Sequence, residues 1–169
     1  MNELKIKIQM NENAMYKFQL YHLYKKPTTI ISTLLGIFTC IISISWILHS
    51  VVERGLVYLL FGMLLVFLPP FTIKQKAKNQ VKRNKVFSKP MEYTISEKGI
   101  VLFQQGSRGE LKWEDCVKVT YVFGNILIYT GKNMSIILPV NQFENKKQEV
   151  KKIILDNLPA IKTKGLKKL

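Results

Sequence analysis

Two long uncharged apolar runs, Ile30–Leu48 and Leu56–Ile73, constrain this chain more than anything else in it; the short segment His49–Gly55 separates them. As helices they would extend about 28 Å and about 27 Å at about 1.5 Å per residue. That is close to the roughly 30 Å of a bilayer's hydrocarbon core. The pair reads as a transmembrane helical hairpin over residues 27–73. The first run exceeds a signal-peptide core and lacks a small-x-small cleavage site, so it reads as a span and not as a leader.

In a chain of 169 residues this leaves room for one small water-facing domain. The formal charge of +15 suggests an anionic partner, nucleic acid or a membrane surface. Its placement favours the membrane: Lys25 and Lys26 precede the first run, and Lys74, Lys76, Lys78, Lys82, Arg83 and Lys85 follow the second. The intervening segment carries only Glu53 and Arg54, which cancel. By the positive-inside rule both ends of the chain are expected in the cytoplasm, beside anionic inner-leaflet headgroups. Residues 74–89 read as a basic juxtamembrane linker. No helix-turn-helix or other reading motif accompanies the charge, so no nucleic acid is expected.

Small residues recur at helical spacing within the first run, at Ser32, Gly36, Cys40 and Ser43, and Gly55 and Gly62 offer a matching narrow face. Such faces let helix backbones approach closely in lipid. They suit closure of the hairpin on itself or assembly with a second copy or another subunit. Pro69-Pro70 interrupts the second run. A helix ending at Leu68 would be too short to cross, so it either starts nearer Val51 or continues through a kink, the reading favoured here.

Before the hairpin, Leu4–Met10 alternates apolar and polar residues as a half-buried strand does. Asn11-Glu-Asn13 supplies capping chemistry for a helix over Ala14–Lys26, with a strand as the alternative there. From Pro90 onward short apolar segments alternate with turns: strands over Glu92–Ile95, Ile100–Gln105, Glu110–Trp113, Cys116–Phe123, Asn125–Tyr129 and Ser135–Leu138, with a turn at Gln105–Gly109 and a connection at Thr130–Asn133. Phe143, Val150, Ile153, Ile154 and Leu158 mark one face of a final helix. The expected class is therefore α+β, a helical hairpin with a small antiparallel sandwich or partial barrel over residues 90–158, closed by a C-terminal helix. Ile161–Leu169, lysine-rich, reads as a disordered or surface-bound tail.

Three stretches resemble the YcxB-like family of small bacterial membrane proteins: Ile6–Leu23, with Tyr16–His22, leading into the hairpin; Tyr93–Ile100 with Leu111–Asp115; and Ile136–Pro139 with Phe143 and the last helix. The resemblance implies a pleckstrin-homology-like cytoplasmic domain and supplies no catalytic activity. Val140-Asn141-Gln142 stand where a basic residue is expected after the Ile-Leu-Pro segment, which weakens an anion site at that point.

Chemistry is sparse. His22 and His49 fall on opposite sides of a span, and no Cys/His set has metal-ligand spacing. Cys40 and Cys116 read as small buried side chains. Glu114-Asp115 would point to opposite faces if on a strand, which argues against a shared acid/base site, and the pair reads better as a charged turn next to Trp113. No enzyme activity, cofactor or metal is expected. Trp113 is a packing anchor or an interaction residue, and Lys98, Arg108 and Lys112 are candidates for contacting lipid phosphate or an acidic partner. The function expected is non-enzymatic display of the domain for protein or lipid binding at the membrane. The alternatives are immunity to a membrane-active antimicrobial peptide and an accessory role in a transporter.

Overall fold

The structure is a computed structural model; it describes residues 3–131 and 134–169. The chain divides into two compact units, residues 1–18 with 80–169, and residues 19–79.

The first unit is built on two four-stranded sheets. Strands β1 (Leu4–Ile8), β2 (Met91–Ser96), β3 (Gly99–Gln104) and β4 (Ser107–Lys112) form an antiparallel sheet in chain order. β1 comes from before the apolar runs and β2 from after them, yet they pair in register from Leu4↔Ile95 to Ile8↔Met91. Both alternate buried and exposed residues, which fixes that register, because a slip by one would turn every apolar side chain outward. The second sheet has the order β7 (Ser135–Pro139), β6 (Asn125–Tyr129), β5 (Lys118–Val122), β8 (Thr163–Lys164). It is antiparallel except for β8, which runs parallel to β5. Neither sheet closes into a barrel: each has two edge strands among the described residues.

Ile6, Ile8, Tyr93 and Ile100 from the first sheet meet Ile126, Ile128 and Leu138 from the second in one core. Helix α4 (Lys147–Asn157) adds Val150 and Ile154 to it, with Phe143 and Leu158 flanking the helix. Two of the hairpins turn on left-handed residue pairs, Gln105-Gly106 and Phe123-Gly124, whose twist matches that of the strands they join.

Several expectations change. The turn expected at Gln105–Gly109 shrinks to Gln105-Gly106, and β4 begins at Ser107; as an edge strand with mostly exposed side chains it shows no apolar alternation. Trp113, expected at the end of a strand, instead opens a short 3-10 turn, and Glu114 and Asp115 lie in that turn as expected. The basic tail is ordered: it supplies β8 and buries Leu166 and Leu169 in the core, which its lysines concealed. The connection at Thr130–Asn133 lies partly outside the described residues.

Helix α1 (Glu12–Leu23) begins where the Asn11 side chain accepts the Ala14 N–H at 2.8 Å. Helix α2 (Pro27–Leu48) starts with proline at its first turn, where the missing donor costs nothing. Helix α3 (Val52–Arg83) starts close to the earlier of the two expected points and also runs through Pro69-Pro70. It takes up most of the expected linker, because Lys, Gln and Ala dominate after Ile73 and favour helix. A 3-10 turn at Lys85–Ser88 follows.

Candidate functional site

Within residues 19–79, α2 and α3 fold against each other through small residues. A Cβ added to Gly36 would come within 2.9 Å of the Gly62 carbonyl oxygen and of Leu65 and Val66 side-chain atoms. One added to Gly62 would lie 2.6 Å from Cys40 Sγ and 3.1 Å from Cys40 N, and one on Gly55 would lie 2.5 Å from Ile47 and 3.0 Å from Ser43 O. Gly36, Ser43, Gly55 and Gly62 are buried. The small face is thus occupied within the hairpin. Ser32, expected on it, is half-buried and donates its hydroxyl to Thr29 O at 3.0 Å.

At the tip, α2 ends in a Schellman motif. Val51 N–H donates to Trp46 O at 3.0 Å and Ser50 N–H to Ile47 O at 3.2 Å, with Ser50 left-handed at φ 67°. Trp46 and Tyr58 meet edge to face, ring centroids 4.8 Å apart, and clamp the two helices near the turn.

The outer faces of the two helices are large, apolar and uncovered: Ile31, Leu34, Phe38 and Ile41 on α2 and Val57, Leu60 and Phe67 on α3 are each 60 % exposed or more. Both helices are long and apolar enough to cross a membrane, and only 11 % and 6 % of their apolar windows are buried. A core helix of a soluble protein would show the opposite. The positions read as juxtamembrane, Lys25, Lys26, Lys74, Lys76, Lys78, Lys82, Arg83 and Lys85, are all exposed. The Lys25 ammonium lies over the Tyr21 ring, 4.2 Å from its centroid. Burial, then the nearby charges of Lys25 and Lys26, hold the His22 imidazole below its ordinary pKa, so it is neutral at pH 7.

The interaction candidates in the other unit do not form one site. Trp113 is buried in the core and donates its Nε1–H to Ser96 O at 2.9 Å, so it acts as a packing anchor. Lys98 is exposed in the β2–β3 turn. Arg108 and Lys112 lie on β4, beside Glu110 at 3.8 Å and Glu114 at 3.5 Å respectively, and these exposed pairs contribute little. Burial raises the Cys116 thiol above its ordinary pKa and leaves it unreactive. Among the described residues no cluster of three or more His, Cys, Asp or Glu could hold a metal.

Two clefts escaped the sequence reading, since each collects residues from distant segments. One gathers Glu3, Glu97, Glu149 and Asp156 beside Lys152. The other joins Lys17, Lys147 and several asparagines. Comparison of the chain with family models, curated proteins and solved structures finds no match.

Proposed function

We propose that the chain is a non-enzymatic integral membrane protein in which a helical hairpin is inserted between the first two strands of a pleckstrin-homology-like domain. The hairpin holds that domain at the inner leaflet for protein or lipid binding, and the organisation is that of the YcxB-like family. One observation carries the reading: β1 pairs with β2 along its whole length, although two uncovered apolar helices lie between them in the sequence.

The argument is topological. A folded sheet occupies one side of a membrane, so a chain that leaves it at Ile8 and re-enters at Met91 crosses an even number of times. Two apolar helices joined by the short turn at His49–Val51 meet that requirement. The excess of lysine on the domain side of both helices favours the cytoplasm for the domain and for both chain ends. Two four-stranded sheets, antiparallel but for β8, with α4 packed on their shared core support the pleckstrin-type reading. The scattering of the basic motif-free charge along α3 and the helix ends favours lipid headgroups over nucleic acid. Closure of the small-residue face within the hairpin weighs against transporter assembly through that face.

Single cysteines at Ser50 and Ser107, in a chain with Cys40 and Cys116 replaced, test the arrangement. In intact cells an impermeant thiol reagent should label the Ser50 position and spare the Ser107 position. Labelling of Ser107 alone would overturn it.

A further inference from the structure

The cleft around Lys17 has the composition of an anion site. It has a volume of about 430 Å³ and lies wholly within the unit that holds the two sheets. Its walls are the first turns of α1, the β5–β6 turn and the segment from Val140 to the start of α4. Lys17 and Lys147 line it, together with Asn13, Asn125, Asn141 and Gly124, and no Asp or Glu lines it among the described residues.

Each wall is fixed. Asn125 is 2 % exposed and its Nδ2–H donates to Ala14 O at 3.1 Å, tying α1 to β6. Val140 N–H donates to Gly124 O at 3.0 Å, tying the third wall to the turn. Gly124 is left-handed at φ 78°, and a Cβ there would stand 3.9 Å from Lys17 Nζ, so the ammonium rests against the open backbone of the turn. Asn13 and Lys17, one helical turn apart, share a face of α1.

Lys17 and Lys147 are half-buried, and among the described residues the ion pairs lie elsewhere, at Lys7–Glu92, Arg108–Glu110 and Lys112–Glu114. Two half-buried lysines thus line one cleft that no carboxylate lines among the described residues. An oxyanion between them would supply a counter-charge, while asparagine amides offer neutral donors to its remaining oxygens. Two positive charges suit a phosphate better than a singly charged carboxylate. The volume leaves room for a substituent on that phosphate.

The geometry points to a phosphate-binding site in this cleft, with Lys17 and Lys147 as its charged ligands and Asn13 and Asn141 as polar ones. The site names a ligand class for the proposed binding domain but does not depend on the hairpin crossing a membrane. A phosphate monoester on a lipid and a soluble phosphate present the same chemistry to it.

The test uses the full chain in neutral, phosphate-free maltoside micelles. In one arm inorganic phosphate is titrated against sodium chloride at matched ionic strength. In the other the micelles are doped with phosphatidic acid or, as control, phosphatidylcholine. Thermal unfolding and calorimetry follow binding. The expected result is stabilisation by at least one phosphate probe, with affinity reduced about tenfold by Lys17→Gln or by Lys147→Gln. The variant Lys5→Gln, which loses the same single charge from an exposed position on β1 outside the cleft, should respond as the parent does. A response to inorganic phosphate assigns a soluble ligand, and a response to phosphatidic acid alone assigns a headgroup. No response to either probe overturns the site, as does an unchanged response in the cleft variants. If Lys17→Gln does not fold, Lys147→Gln decides by the same criteria, since Lys147 opens α4 and packs into no core. The readouts stand in micelles whatever the cysteine-labelling pattern in cells, so the two proposals fail separately.

Discussion

Gly36 and Gly62 pack backbone to backbone: a Cβ on Gly62 would lie 2.8 Å from the Gly36 carbonyl oxygen, and one on Gly36 would lie 2.9 Å from that of Gly62. The approach is reciprocal, and the obstacles are main-chain atoms that cannot rotate away. In lipid, where water does not drive helices together, such contact is what holds a hairpin closed. Gly62→Ala should therefore separate α2 from α3 and cost about 1–3 kcal/mol. Leu60→Ala, which trims a side chain 63 % exposed in this structure, should change stability by less than about 0.5 kcal/mol. Thermal unfolding of both variants in micelles checks the contrast, and equal effects would refute the packing argument.

Ile8 is fully buried and sits opposite Met91 at the end of the β1–β2 ladder. If the strand before the hairpin is part of the domain after it, then Ile8→Ala should destabilise the sheet by about 2–5 kcal/mol, as a core deletion does. Lys7→Ala, beside it, removes only an exposed ion pair with Glu92 and should cost less than about 1 kcal/mol. Amide exchange at Tyr93 and Ile95 provides the readout, rising in the first variant and holding in the second.

Ser50 holds the left-handed position of the α2 Schellman motif without the freedom that glycine has there. Ser50→Gly should raise stability by about 1 kcal/mol, the strain a side chain adds in that region. A lower unfolding midpoint for Ser50→Gly would show that the turn is held by something other than this motif.

The elements that were legible in the sequence share a local cause. The apolar runs declare α2 and α3 by length alone, Leu4–Met10 declares β1 by alternation, and Gly106 and Gly124 mark two turns. The small residues Gly36 and Cys40 pointed to the face that meets Gly62. What was hidden depends on distant partners or on exposed surroundings. β4 shows no alternation because it is an edge strand, and the core roles of Leu166 and Leu169 are masked by the lysines around them. Ser50 carries no sign of its left-handed backbone. The cleft is the extreme case: Asn13, Lys17, Asn125, Asn141 and Lys147 are commonplace in their own segments, and only the fold places them around one space.

Tyr93 gives the domain a specific response to alkaline pH. The residue is 2 % exposed, and burial pushes its hydroxyl from the ordinary 10 up to about 12. Among the described residues its hydroxyl has only the Met91 sulfur, at 3.7 Å, as a partner, which does little to offset the cost of ionising it in place. In the unfolded chain the phenol loses its proton near pH 10, while the folded domain keeps it until about 12. Between those values the unfolded state binds fewer protons, so stability falls as pH rises, by up to about 1.4 kcal/mol per unit. Below pH 10 both states are neutral and the group adds no slope. Tyr93→Phe should behave like the parent at pH 7, because the weak contact to sulfur is all it gives up. It should then lose this component of the decline between pH 10 and pH 12. Urea unfolding at pH 7, 10 and 11.5 measures both, and parallel curves for the two proteins across that range would show that Tyr93 is not the group responsible.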